Sequence, residues 1–219
     1  MTARPADGRG HRLVLASRSP RRADLLSMLA IPFEIDPADI PEEVLPGEDP
    51  VAHTRRLAEG KARAVAGRRP GRLVLGGDTV VVRDGTILGK PGDADHAVAM
   101  LLSLSGRAHE VVSALALVEP DGCVHAGVSR TTVWLRSFAE QEARAYVATG
   151  EPMDKAGAYA IQGAGAVLVE SLEGDYFTVV GLPVPLLVGL LGAAGVPYGF
   201  GGWATASEVE VRPETGAKL

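Results

Sequence analysis

The sequence predicts an α/β fold, a mixed and twisted sheet flanked by helices, and three observations carry that expectation. Through the first third of the chain, short Val/Leu-rich runs alternate with segments of helical period. Farther on, two Asp-Gly pairs, Asp84-Gly85 and Asp121-Gly122, each sit between apolar strand-forming runs. Aliphatic residues dominate while aromatics make up only 5% of the chain, a composition suited to buried sheets.

Taken in order, the first strand is expected over 12–16, followed by a helix over 20–29 whose apolar positions Leu25, Leu26 and Leu29 share one face. A strand over 33–36, an acidic loop, a helix over 50–66 and a strand over 72–76 continue the alternation. "TVVVRDGTILG" then reads as a hairpin and "HEVVSALALVEPDGCVHAGVSRTTVWLRS" as a longer one, with helices over 93–103 and 139–149 on either side of the second. A last pair of strands is expected around Gly174-Asp175, the second over 176–180, before a core helix over 183–194. Residues 11–200 form one domain in this reading, between a disordered tail over 1–10 and a flexible tail over 201–219. Ligands are expected at the carboxyl ends of the strands.

Composition narrows the function. The chain has 219 residues, a net charge of −5 and one cysteine, Cys123. Net acidity and scarce aromatics argue against a general nucleic-acid binder. A single cysteine cannot close an intramolecular disulfide, which fits a cytoplasmic protein. From Tyr176 to Ser207 no residue is charged, a length that could cross a bilayer, but three prolines and seven glycines favour a buried strand and a short core helix, with no membrane partner.

Six stretches bear on chemistry. In "LASRSPRRADLL", Ser19 and Pro20 suit the start of a helix, whose N-terminus attracts anions, and Arg18, Arg21 and Arg22 add forked donors. Three cations at that end oppose the helix dipole unless something negative binds; the plainer alternative is a capped helix with exposed arginines. Lys61 falls between Leu57 and Val65 on the apolar stripe of its helix, so it either snorkels to the rim or reaches into a pocket. Asp78 follows the strand and two glycines in "LVLGGDTVVV", placed either to bind a divalent cation and activate water or simply to begin a turn. Lys90 in "LGKPGD" and Glu42 and Glu43 in "DIPEEVLPGED" are either solvated loop residues or parts of the same site. In "GEPMDKAGAYAIQGAG", Asp154 and Lys155 occupy a turn, and Gln162 offers both donors and an acceptor, matching the mixed edge of uracil or thymine, or else is an exposed strand residue. No Walker-type loop, dinucleotide-binding fingerprint or His-Glu-x-x-His helix is present, and the histidines are scattered.

Together, "LASRSPRRADLL", "EGKARAV", "GGDTVV", "GKP", "MLLSLSGRAHEV", "EPMDKAGAYAIQG" and "GDYFTVVGLP" resemble, in order and over 13–191, the Maf family of nucleoside triphosphate pyrophosphatases, the septum-formation-inhibitor-like proteins of bacteria. The resemblance implies a fold like that of inosine triphosphate pyrophosphatases, a homodimer, and cleavage of a nucleotide between its α and β phosphates with a divalent cofactor, Mg²⁺ or Mn²⁺. It implies phosphate binding by Ser17, Arg21 and Arg22, catalytic roles for Asp78, Lys61 and Lys90, and metal binding by Asp78 with Glu42 or Glu43. Thr79 and Gln162 resemble the branch acting on dTTP and UTP, whereas the 7-methyl-GTP branch tends to carry Gln and Glu there. Gly77 departs from the pattern, where alanine is usual, and is expected to add backbone freedom. Two other classes stay in view. A nucleotide-sensing regulator of cell division would bind without turnover, and a nucleotidyltransferase would need the glycine-rich first loop this chain lacks.

Overall fold

The computed structural model describes residues 13–203. The expected N-terminal tail, Arg12 and the expected C-terminal tail from residue 204 onward lie outside the described residues.

Strand β1 (Leu13–Leu15) leads into helix α1 (Pro20–Met28), strand β2 (Phe33–Ile35), helix α2 (Pro50–Ala66), strand β3 (Leu73–Arg83) and strand β4 (Thr86–Leu88). Helix α3 (Ala94–Leu104), strands β5 (Ala108–Val118) and β6 (Val124–Leu135) and helix α4 (Glu140–Val147) follow. Three short 3₁₀ turns then lead to β7 (Val169–Glu173), α5 (Tyr176–Val180), α6 (Val184–Ala193) and a small hairpin, β8 (Tyr198–Gly199) with β9 (Gly202–Trp203). The main sheet has the order β2-β1-β3-β5-β6-β7, with β4 also paired to β3. β1 runs parallel to β2 and β3, and the remaining pairs are antiparallel. The mixed sheet with flanking helices is the one the sequence predicts.

Three expectations need correction. The strand over 72–76 and the first arm of the following hairpin are one strand, because β5 pairs along β3 from Val74 to Val82 straight through Gly76 and Gly77. Asp78 therefore sits mid-strand rather than at a strand's carboxyl end or in a turn. Its neighbourhood is still open, because β1 pairs only with Leu73–Leu75 and β4 only with Val81–Arg83. Among the described residues, no strand covers residues 76–80 on that side, and the sheet forks around Asp78.

The second correction concerns Tyr176–Val180, which is helical despite its β-branched content. Asp175 caps it, accepting from the backbone N–H groups of Phe177 and Thr178, and Gly181 closes it in the left-handed region at φ 110°. Two-ended capping outweighs strand propensity over five residues. The third correction is at the tail: residues 201–203 belong to the β8–β9 hairpin, and Tyr198 and Trp203 pack against the core beside α1 and α6. No described helix is long and apolar enough to cross a membrane.

Packing sets the distances that matter. On one face of the sheet, Val14, Ala16, Val74, Ala114 and Ala116 meet Ala58, Ala62 and Val65 of α2. Small side chains bring that helix close: a Cβ added at Gly76 would lie 2.3 Å from the Ala58 carbonyl and 2.7 Å from the Ala62 nitrogen. On the other face, leucines of β1, β3, β5, α1 and α6 form the larger core. Each such leucine contributes roughly 1.5–3 kcal/mol by burial.

Candidate active site

Alternation along β3 sends Asp78 to the α2 face and Thr79 to the α1 face, so two walls of one cavity start from adjacent residues. The cavity encloses about 740 Å³. Ser17, Arg18, Ser19, Arg21, Arg22, Glu42, Lys61, Asp78, Thr79, Lys90, Asp154, Lys155 and Gln162 all line it. Every residue singled out in the motifs is thus brought to one place except Glu43, which is not among the lining residues and whose carbonyl accepts from Arg56 Nη2 at 3.0 Å. Of the two adjacent glutamates, the structure turns Glu42 inward.

The basic wall is built on the turn from β1 into α1. Ser19 holds the N-cap position, with Pro20 in the first turn, but its side chain makes no capping bond. Instead its N–H donates to Ser17 Oγ at 3.2 Å. Arg22 is 8% exposed and its fork is held at three points, by the Gly181 carbonyl on Nε (2.8 Å), Ser17 Oγ on Nη1 (2.9 Å) and Thr79 Oγ1 on Nη2 (3.1 Å). All three partners are neutral. Burial pulls the Arg22 pKa below its ordinary value, opposed by the charge of Asp78 and reinforced by that of Arg21. A guanidinium stays charged under such conditions, so the wall holds a cation that makes no direct ion pair among the described residues and has N–H groups to spare. Arg21 lies 3.6 Å from Asp154, whose carboxylate also accepts from Lys155 Nζ at 2.6 Å.

Sequence reasoning missed the groups that hold this wall in place. Ser113, fully buried and opposite Thr79 on β5, donates to the Thr178 carbonyl at 2.7 Å and lies 2.7 Å from Thr79 Oγ1. Because the single Ser113 proton goes to that carbonyl, the Thr79 hydroxyl donates to Ser113 and accepts from Arg22. The one sequence signal for Ser113 is a lone hydroxyl in the apolar run "VVSALALV". Gly181 gave none, since its carbonyl lies 159 residues from Arg22 in sequence.

The acidic wall inverts this pattern. Lys61 projects from α2 between two carboxylates, 2.8 Å from Asp78 Oδ1 and 2.7 Å from Glu42 Oε1. The side chains of Lys61 and Asp78 are each 11% exposed, so the lysine points into the pocket rather than to the rim. Partial burial raises the Glu42 carboxyl pKa, but the hydrogen bond and charge of Lys61, with the more distant charges of Lys90 and Arg22, bring it below the ordinary value. Two carboxylates on one ammonium leave a net negative charge. Lys90 and Gln162 are both exposed at the cavity's edge; Gln162 precedes a 3₁₀ turn rather than lying in a strand.

A buried guanidinium held by neutral oxygens thus faces, across one cleft, an ammonium held between two carboxylates. The chain belongs to the Maf family: the model for Maf-like proteins matches residues 12–194. A dTTP/UTP pyrophosphatase of a Geobacter species is 53% identical over 185 residues, covering 84% of this chain and 95% of the relative. One from Moorella thermoacetica is 51% identical over 189 residues, covering 84% and 96%. Among solved structures, a dITP/XTP pyrophosphatase from Mycobacterium abscessus aligns over 57% of this chain and 74% of that one, with 21% identity and a TM-score of 0.37.

Proposed function

We propose that this chain is a nucleoside triphosphate pyrophosphatase that hydrolyses dTTP and UTP to the monophosphate and pyrophosphate. The observation that carries the reading is Lys61 bridging Asp78 and Glu42 opposite the Arg22–Ser17–Thr79 corner. Curated relatives at about half identity bear the name of that activity.

In this reading the phosphates, with about four negative charges, settle against the start of α1, where Ser17, Arg21 and Arg22 receive them. Lys90 adds charge from the cavity's edge. Arg22 is pre-oriented by three bonds, so little reorganisation is needed as charge builds on the leaving pyrophosphate. Lys61 holds both carboxylates at fixed positions, and Asp78 is placed to take a proton from the attacking water. The donor set fits a divalent ion: Asp78 and Glu42 supply hard oxygens with negative charge left over, and would hold Mg²⁺ or Mn²⁺. When bound, such an ion neutralises phosphate charge and makes water more acidic. In the same reading the Gln162 amide, exposed at the cavity's edge, pairs with the mixed donor–acceptor edge of uracil or thymine. Cytoplasmic location and a homodimer belong to the same proposal and rest on the family.

The test is pyrophosphate release from dTTP, UTP, CTP, GTP and 7-methyl-GTP with Mg²⁺ or Mn²⁺. Selective, metal-dependent cleavage of dTTP and UTP is the expected result. Preference for 7-methyl-GTP would overturn the base assignment, and nucleotide binding without cleavage would favour the cell-division regulator.

A further inference from the structure

Away from the cavity, the tip of the β5–β6 hairpin gathers three side chains of a different chemistry. Glu119, Cys123 and His125 each offer a ligating atom, and these atoms lie within 4.8 Å of one another. His125 Nε2 is 2.8 Å from Glu119 Oε1 and 3.7 Å from Cys123 Sγ. None of the three lines the catalytic cavity. Ala114 faces Asp78 on β3, and Glu119 lies five residues beyond Ala114, about 17 Å at roughly 3.4 Å per residue of strand.

The backbone explains why the three converge. Cys123 immediately precedes β6 and His125 is its second residue, and the two side chains lie on the same side with Sγ 3.7 Å from Nε2. Glu119 closes the hairpin opposite them, its N–H donating to the Cys123 carbonyl at 2.8 Å. The turn is fixed by Asp121, whose carboxylate accepts from the Cys123 N–H at 2.9 Å. The ligand geometry is therefore set by the hairpin, not by a free loop.

We propose that this hairpin tip binds one divalent ion of the zinc class, through Cys123 Sγ, His125 Nε2 and a Glu119 oxygen, with a fourth position left to water. Sulfur, imidazole and carboxylate together select Zn²⁺ or Co²⁺ over Mg²⁺ and Mn²⁺. The 3.7 Å between Cys123 Sγ and His125 Nε2 is close to the ligand–ligand spacing of about 3.5 Å around an ion with bonds of about 2.0–2.3 Å, and the 2.8 Å hydrogen bond between His125 and Glu119 must open by about half an ångström to admit the ion. Thiolate and carboxylate balance the ion's charge. Ligation requires Cys123 Sγ and His125 Nε2 to be free of protons, so loading releases protons. The site is independent of the proposed reaction.

Cys123 is the chain's only cysteine, which makes the test specific. Titrating metal-stripped full-length protein with Co²⁺ should produce a thiolate-to-cobalt charge-transfer band in the near ultraviolet that saturates at one ion per chain. Zn²⁺ should bleach it and excess Mg²⁺ should not. His125→Ala and Glu119→Gln should each weaken binding at least ten-fold, and Cys123→Ser should abolish the band while pyrophosphate release is unchanged. No band, saturation at half an ion per chain, or titrations unaffected by both His125→Ala and Glu119→Gln would overturn the site.

Discussion

Arg22 and Lys61 are both buried cations beside adjacent residues of β3, yet their surroundings are opposite. Arg22 is held entirely by neutral oxygens, those of Ser17, Thr79 and Gly181. Lys61 is held entirely by carboxylates, Asp78 and Glu42. A cation with neutral partners keeps its charge for an anion that has yet to arrive, whereas a cation between two carboxylates spends its own and leaves the wall negative. The contrast teaches that burial alone does not mark a phosphate-binding cation; the charge of its partners does.

The comparison can be broken or sharpened at each wall, beginning where the largest effect is expected. Asp78→Asn keeps the shape of the acidic wall but removes its proton acceptor, and should lower kcat by at least about 100-fold. Arg22→Lys keeps the charge and loses the fork, and an ammonium cannot replace three bonds in three directions. It should lower kcat/KM by about 100-fold, or about 2.7 kcal/mol, in steady-state kinetics.

The packing that sets the two walls makes its own prediction. Gly76→Ala would drive a methyl group into the α2 backbone, costing about 3 kcal/mol in urea unfolding. Gly77→Ala meets Leu115 Cδ2 at 3.0 Å, Arg22 Nε at 3.3 Å and the Ala114 carbonyl oxygen at 3.4 Å; the two tighter neighbours are side-chain atoms, and the change should cost less than about 1 kcal/mol. Gly77 does not adopt positive φ, so the residue provides room beside Arg22 instead of the backbone freedom expected from sequence.

The smallest effect in turnover should come from Thr79→Val. Its hydroxyl accepts from Arg22 and pairs with Ser113, which makes it a positioning residue for the basic wall. Losing it should lower kcat/KM about 5-fold for every nucleotide alike. A changed ratio of dTTP to GTP cleavage would instead support the base-reading role that the family resemblance implies.

What was legible in the sequence follows from range. The Ser-x-Ser-Pro-Arg-Arg turn, Lys61 on its stripe and the Asp-Gly hairpins are local, and local chemistry is enough to place them. The sequence puts Asp78 just past a strand's carboxyl end, because two glycines look like the end of a strand until β5 is seen pairing through them. Tyr176–Val180 was misread because its β-branched residues are more conspicuous than the single capping Asp175. Ser113 and Gly181 went unseen because each supports Arg22 from far along the chain.

The measurement that tests the two-wall account most directly is a side-by-side comparison of wild type and Asp78→Asn. Binding of non-hydrolysable α,β-imido-dUTP without added metal is set beside kcat for UTP. The account predicts metal-free affinity within about 3-fold of wild type, because Arg22 and its neutral partners hold the phosphates, with turnover reduced at least about 100-fold. Turnover within a few-fold of wild type would contradict it.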